Sequence, residues 1–263
     1  MDHLPFTVDT IEVFLLIFVR VSVIIALLPI FGSTSVAPQI KVGLSLMLST
    51  IIMSSMPLAP VLVVPPGTPV AFLVLLVVKE AAVGFAMGFT ASFLFAAVQF
   101  AARLIDSEMG FGMVDLIDPM SEESVSVVGQ LWVVVFTVFL LLINGHFFFI
   151  IAIQKSFAVI PLAGEHFKAG LLASQFTDMV GDLFSLGIRM SAPMYVALIL
   201  TEMALGIVAR TVPQLNIFFV GIPMKIAVGL GSTIIAFPMV AGLFKKIFEG
   251  LLTDIWSVLY MMV

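Results

Sequence analysis

VAFLVLLVVKEAAVGFAMGFTASFLFAAVQFAAR, residues 70 to 103, decides how the rest of the chain is read. It is apolar almost throughout and carries one adjacent pair of charges, Lys79 and Glu80. The run is continuous, whereas strands of a membrane β-barrel alternate apolar and polar residues. That points to a helix. As one straight helix the stretch would reach roughly 50 Å at about 1.5 Å per residue, which exceeds a hydrocarbon core of roughly 30 Å. It must tilt strongly, break, or project beyond the bilayer, and the residues alone leave these three open.

The flanking sequence has the same character. Of the 263 residues 62% are hydrophobic and only 10% are charged, where soluble domains carry about 25% charged residues. Mean hydropathy is +1.26. Too little polar surface exists to coat a water-soluble globule of this size. The expected fold class is therefore all-α and membrane-integral. The formal net charge of −5 and the sparse Lys and Arg argue against nucleic-acid binding. The absence of cysteine excludes disulfides and thiolate metal sites. The N-terminus MDHLPFTVDTIEVF lacks a basic n-region and a small-residue cleavage site, so the first apolar run is expected to be a retained helix.

Outward from the central stretch, about six apolar helical segments emerge, several of them punctuated by Pro or Gly. Ile11 to Phe31 is interrupted only by Arg20, and Lys41 to Met56 is a shorter run. Pro57 to Pro69 is too rich in proline to be helical. Leu104 to Glu123 reads as an acidic, Gly-rich loop with Asp106, Glu108, Asp115, Asp118, Glu122 and Glu123 and no base. Val125 to Ile160 is apolar, with a weak point at Asn144-Gly145-His146. Leu183 to Ala209 and Leu215 to Phe244 complete the set, before a last apolar tail. No internal repeat is visible, and basic residues are too few to orient the chain by the positive-inside rule.

Arg20, Lys79, Glu80, Arg189, Glu202 and Lys225 fall inside apolar runs. Each costs about 2.5–3.5 kcal/mol at a helix centre, whereas each Leu, Ile, Phe or Val returns about 0.3–0.6 kcal/mol. A long apolar helix can carry one such charge, buried against a partner or a watery cavity. Structural ion pairing is the plainer reading and a polar path through the protein the sharper one. Six charges together point to segments that face protein rather than lipid. Gly84, Gly88, Ser92 and Ala96 recur every four residues and read as a helix-packing face.

Catalytic signatures do not surface. HExxH, GxSxG and P-loop patterns are absent, and His146 has no second ligand at helical spacing. Neither enzyme activity nor a cofactor or metal is expected. A secondary transporter would show two related halves around a midplane site, and the missing repeat counts against one.

The run Ala209-Arg210-Thr211-Val212-Pro213-Gln214-Leu215-Asn216-Ile217-Phe218, followed by Gly221-Ile222-Pro223-Met224-Lys225, resembles the signature of the flagellar biosynthesis FliR family. That family includes the matching subunit of virulence type III secretion systems. Arg20 with Leu28-Pro29-Ile30-Phe31-Gly32, the acidic loop ending Asp118-Pro119, and Gly145-His146 with Ser156 and Pro161 agree with it. The resemblance covers nearly the whole chain and implies a single membrane-associated domain over residues 1–263. It implies a subunit of the type III export gate in the bacterial inner membrane, at the flagellar basal body, with parts at the periplasmic face. FliP, FliQ and FlhB are the implied partners, and unfolded flagellar subunits the implied cargo. A virulence-type system is the alternative.

On residues alone, the acidic stretch is a solvated loop. The resemblance makes Ile105 to Met120 a pore plug. Met109, Phe111 and Met113 would close a lumen, Gly110 and Gly112 would supply backbone freedom, and Asp106, Asp115 and Asp118 would stay hydrated or meet basic neighbours, with Pro119 closing the motif. Arg210, Gln214, Asn216 and Lys225 are candidates for inter-helix or inter-subunit contact. Pro213 and Pro223 are expected to bracket a bent hairpin that one regular helix cannot form.

Overall fold

The computed structural model describes residues 8–28, 31–32, 36–55, 70–111, 127–162, 172–212, 214 and 216–262. Among the described residues the chain is all-α, with no strand. The helices are α1 (Val8–Leu27), α2 (Pro38–Ser55), α3 (Val70–Met109), α4 (Val127–Leu142), α5 (Gly145–Val159), α6 (Leu172–Thr211) and α7 (Ile217–Met261). Three of them, α3, α6 and α7, are long and apolar enough to cross a membrane, and α4 and α5, bent by 71° at the break between them, pass the same test only together.

The long central stretch does not break. α3 is one helix of 40 residues, which leaves tilt or projection beyond the bilayer. Its continuity follows from composition, because neither Lys79-Glu80 nor Gly84 and Gly88 removes a backbone donor, as a proline would. The break expected at Asn144-Gly145-His146 is present. Asn144 adopts the left-handed conformation (φ 57°, ψ 27°) between α4 and α5, one of the few non-glycine residues that tolerates it. Proline behaves differently from expectation in α6 and α7. Pro193 lies inside α6, and Pro223 and Pro238 lie inside α7, without ending either helix. Pro223 therefore does not bracket the hairpin. The turn lies earlier, between Thr211 and Ile217. Pro213 lies outside the described residues.

Two compact units divide the chain. The first holds residues 1–93, 144–179 and 250–263. In it, Leu16, Ile17, Val21, Ile24 and Ile25 of α1, Val83 and Met87 of α3, and Phe149, Ile153 and Phe157 of α5 are buried. α1 packs against α2, and Lys41 Nζ donates to the Gly32 carbonyl at 2.9 Å.

α1 and α3 approach closely at two glycines of α3. A Cβ on Gly84 would stand 2.8 Å from the Arg20 carbonyl oxygen and 3.1 Å from Val23 Cβ. On Gly88 it would stand 2.7 Å from Leu27 Cβ. The backbones of α1 and α3 thus meet where α3 has no side chains, as small residues allow in membrane helix pairs. Ser92 and Ala96 continue the spacing but are only half-buried, and the Ser92 hydroxyl donates to the Phe89 carbonyl of its own helix at 2.7 Å.

The second unit holds residues 94–143 and 180–249. Its centre is aromatic. Phe244 of α7 is fully buried, with ring centroids of Phe136, Phe139 and Phe95 at 4.5, 5.8 and 6.4 Å. Such pairs contribute about 0.5–1.5 kcal/mol each beyond the area they bury.

Gly84→Leu is expected to separate α1 from α3, because the obstacle is backbone and cannot rotate away. Overpacking of this kind costs about 1–3 kcal/mol. Thermal unfolding in mild detergent measures it, and Gly43→Leu, where a Cβ meets open space, is the matched control and should leave the transition unchanged.

Candidate functional site

The first polar centre lies inside the first unit. Arg20 on α1 and Glu80 on α3 are both fully buried, and Arg20 Nε donates to Glu80 Oε2 at 2.6 Å. The guanidinium reaches further. Its Nη1 donates to Ser156 Oγ at 3.2 Å and its Nη2 to the Ile160 carbonyl at 2.9 Å. Its carbon stands 4.2 Å from the centroid of the Phe157 ring, within cation–π range. One side chain on α1 thus holds α3 and the C-terminal end of α5. Lys79, next in sequence to Glu80, turns elsewhere and donates to the Pro161 carbonyl at 3.2 Å. Glu80 Oε1 has no hydrogen-bond partner among the described residues.

The second centre lies in the second unit, where α3 ends. The Phe111 N–H donates to the Asp106 carbonyl at 3.1 Å, and the Gly110 N–H to the Ser107 carbonyl at 3.3 Å. These are the two bonds of a Schellman stop. Gly110 occupies its left-handed position, with φ +91°, which glycine adopts without a Cβ penalty. The helix therefore runs to Met109. The expectation that a loop begins near Leu104 is corrected: acidic residues do not end a helix, and the first residue suited to the stop is Gly110. Asp106 is corrected as well. It is 6% exposed and accepts from the Val128 N–H at 3.2 Å, an acid at the positive end of α4. It is a buried cap of α4, where a residue either hydrated or paired with a basic neighbour was expected.

The ends of the 112–126 segment are consequently tied to one residue, Asp106, whose carbonyl holds Phe111 and whose carboxylate holds Val128. Gly112, Met113, Asp115, Asp118 and Pro119 fall in that segment, outside the described residues. Met109 is fully buried and seated on Gly229 of α7, where an added Cβ would collide with the Met109 side chain.

Beside this stop lies an open cavity of about 310 Å³, lined by Met109, Gly110, Glu202, Leu205, Gly221 and Lys225 among others. Lys225 Nζ and Glu202 Oε1 form an ion pair at 3.3 Å across α6 and α7. Lys225 is mostly sheltered and Glu202 is half-exposed. Gly221 faces Leu205. These pairs run antiparallel away from the turn and set the hairpin's alignment. Of the other polar residues singled out in the hairpin, Arg210, Gln214 and Asn216 are exposed. Asn216 precedes the first residue of α7, a residue type favoured at that position.

Sequence reasoning flagged Arg20, Glu80, Glu202 and Lys225 but not their pairing. It missed Ser156 as a ligand of Arg20 and Asp106 as a cap.

Long apolar helices with buried charges paired internally define an integral membrane protein. Residues 11–251 match the family described as bacterial export proteins, family 1. The chain is 34% identical over 248 residues to the flagellar biosynthetic protein FliR of Bacillus subtilis, covering 92% of each. It is 31% identical over 242 residues to that of Escherichia coli, covering 90% of each. It is also 29% identical over 167 residues to the secretion system apparatus protein SsaT of Salmonella typhimurium, covering 62% of this chain and 63% of that one. The chain belongs to the bacterial export proteins, family 1.

Two measurements probe these centres. Arg20→Leu or Glu80→Leu alone leaves an unpaired buried charge and is expected to cost about 3–5 kcal/mol, while the double substitution restores much of the stability. Denaturation in detergent of the four proteins of the cycle reads the coupling. Asp106→Leu removes the cap of α4, worth about 0.5–2 kcal/mol. It is expected to raise the rate of protease cleavage within residues 112–126, with cleavage elsewhere unchanged.

Proposed function

We propose that the chain is a non-enzymatic subunit of the flagellar type III protein export gate, assembling with relatives of FliP and FliQ and associating with FlhB to form the conduit for unfolded flagellar subunits. The observation that carries this reading is similarity to flagellar biosynthetic proteins along about 90% of the chain. The match to the secretion system apparatus protein SsaT covers only 62% of the chain, which favours the flagellar system over the alternative. In this reading the protein sits in the bacterial inner membrane with parts at the periplasmic face. Helices of 40 and 45 residues suit that placement, since each exceeds what a hydrocarbon core of roughly 30 Å accommodates.

Within this reading, the stretch that begins at the α3 stop is the plug. Met109, Gly110, Phe111, Gly112, Met113, Asp115, Asp118 and Pro119 are the residues assigned to it. Tethered ends support the assignment. A plug must leave and return without pulling its helices apart, and Asp106 holds both of its ends. Met109, buried on Gly229, is the anchor at the base. The cavity beside Gly110, with Glu202 and Lys225 in its wall, provides a polar side to the hairpin. Methionine and phenylalanine close an irregular lumen well, because methionine adapts its packing.

Deleting Gly110 to Asp115 is expected to make the membrane leaky to ions and small solutes while the complex still assembles. Conductance of cells or vesicles measures the leak, and co-purification with the FliP and FliQ relatives verifies assembly. Unchanged permeability in an assembled complex removes the plug. A stable lone chain that moves a small solute removes the gate reading altogether.

A further inference from the structure

In the second unit the last turn of α3 touches both α6 and α7. The Tyr195 hydroxyl of α6 donates to the Glu108 carboxylate, and Met109 fills the space over Gly229 of α7. α3 then stops, while α6 runs on to Thr211 and α7 begins only at Ile217. Past the stop, the α6–α7 pair therefore continues for roughly 20 Å at about 1.5 Å per residue. The cavity of about 310 Å³ lies at the start of this extension. An added Cβ at Gly110 or at Gly206, both in its wall, would meet open space.

Two chemistries share that wall. Leu205, Ile217 and Ile222 are apolar, whereas Glu202 and Lys225 are paired through Glu202 Oε1. An ammonium has three donors, so Lys225 keeps N–H bonds to give and Glu202 keeps Oε2 to accept. Neither has a further partner among the described residues. The pair neutralises itself, so an occupant needs no charge of its own. What it meets is a donor beside an acceptor, next to an apolar surface. A peptide unit offers the complement, one carbonyl and one N–H. A helix uses these groups internally, but an extended chain has them free. An acyl chain has neither group and would leave the ion pair's remaining bonds unmade.

We infer that this cavity is a binding site for an extended polypeptide. Glu202 and Lys225 hold a peptide N–H and carbonyl, and an apolar side chain lies against Leu205, Ile217 and Ile222. The volume sits at the low end of the range for ligand sites, roughly 300–1,000 Å³, which suits side chains and not a folded element. Recognition through the main chain does not depend on sequence, as a conduit for unfolded subunits requires. The exported chain is therefore the occupant, an identity that rests on the export-gate reading and not on the plug. Side chains of an extended chain alternate in direction, so every second residue of the passing segment faces the cavity.

The chain has no cysteine, so introduced thiols report on the site directly. Gly206→Cys is made in the full chain, and Gly181→Cys, at another α6 glycine that faces open space, is the control. An exported flagellar subunit is stalled in the assembled complex by a fused domain that resists unfolding, with single cysteines stepped along its stalled segment. Oxidation is expected to join position 206 to alternate residues of that segment and position 181 to none. Gly206→Phe fills the cavity and is expected to slow export at least about fivefold, with the FliP and FliQ relatives still co-purifying. Wild-type export by the assembled Gly206→Phe complex, disulfides no more frequent at 206 than at 181, or a helical period in the disulfides overturns the site and leaves the gate reading intact. An unsubstituted chain that does not co-purify with those relatives overturns the gate reading, and the exported chain as occupant with it.

Discussion

Burying a guanidinium in a chain this apolar is the most demanding condition the structure meets. Arg20 has five N–H donors and no acceptor, and it is never neutral under ordinary conditions. It is fully buried with Glu80. Desolvating both ions costs several kcal/mol each, and their attraction offsets this only when geometry is good and the remaining donors are satisfied. Arg20 meets that condition with a carboxylate, a hydroxyl, a carbonyl and an aromatic face. The net gain over a hydrophobic replacement is small by the same reasoning. What the pair supplies is alignment. A slide of one residue along α1 or α3 would strand a charge, while leucine packing alone would tolerate it.

That alignment matters because lipid removes the usual force for association. Between apolar helices in a bilayer, packing and polar contacts decide which faces meet. Gly84 lies one turn after Glu80, and its missing side chain admits the Arg20 carbonyl. The close approach and the ion pair are therefore the same event seen from two sides. With a larger residue at position 84 the helices stand apart and the carboxylate loses the guanidinium. Without the ion pair the glycine contact has no reason to occur at this level. Ser156 and the Ile160 carbonyl then attach α5 to the pair already formed, which uses the free carbonyl that any helix leaves at its end.

The helices themselves were legible in the sequence because continuous apolar runs have one common solution in lipid, in which the backbone satisfies its own hydrogen bonds. Asn144 was legible for a related reason: few residue types accept a left-handed turn. Arg20, Glu80, Glu202 and Lys225 stood out as charges in the wrong medium, but nothing local said which would meet which, since partners on different helices, 60 residues apart for Arg20 and Glu80, leave no periodic trace. The misreadings concern where helices stop. Acidity over residues 104–109 suggested a loop, yet a carboxylate costs a helix only a few tenths of a kcal/mol. Proline at 223 suggested an interruption, yet it falls within the second turn of α7, where it removes a single backbone bond. The segment 112–126 lies outside the described residues, so the plug assignment rests on the resemblance and on how its two ends are held.

Asp106 shows how the two centres differ in kind. Arg20 is met by Glu80 and by groups already in the first unit, so moving any of those elements strands a charge. Asp106 instead closes a loop, with its carbonyl on the outgoing strand of chain and its carboxylate on the returning helix. The entropy of closing a loop grows only with the logarithm of its length, so the length of the connection adds little to the cost of holding its ends. α3 and α4 are thereby posted against each other where the chain leaves one and enters the other. Met109 on Gly229 adds a second post on the α7 side. The two centres thus do different work: paired charges set the level of the helices in the first unit, whereas one aspartate in the second fixes where α3 stops and where α4 begins.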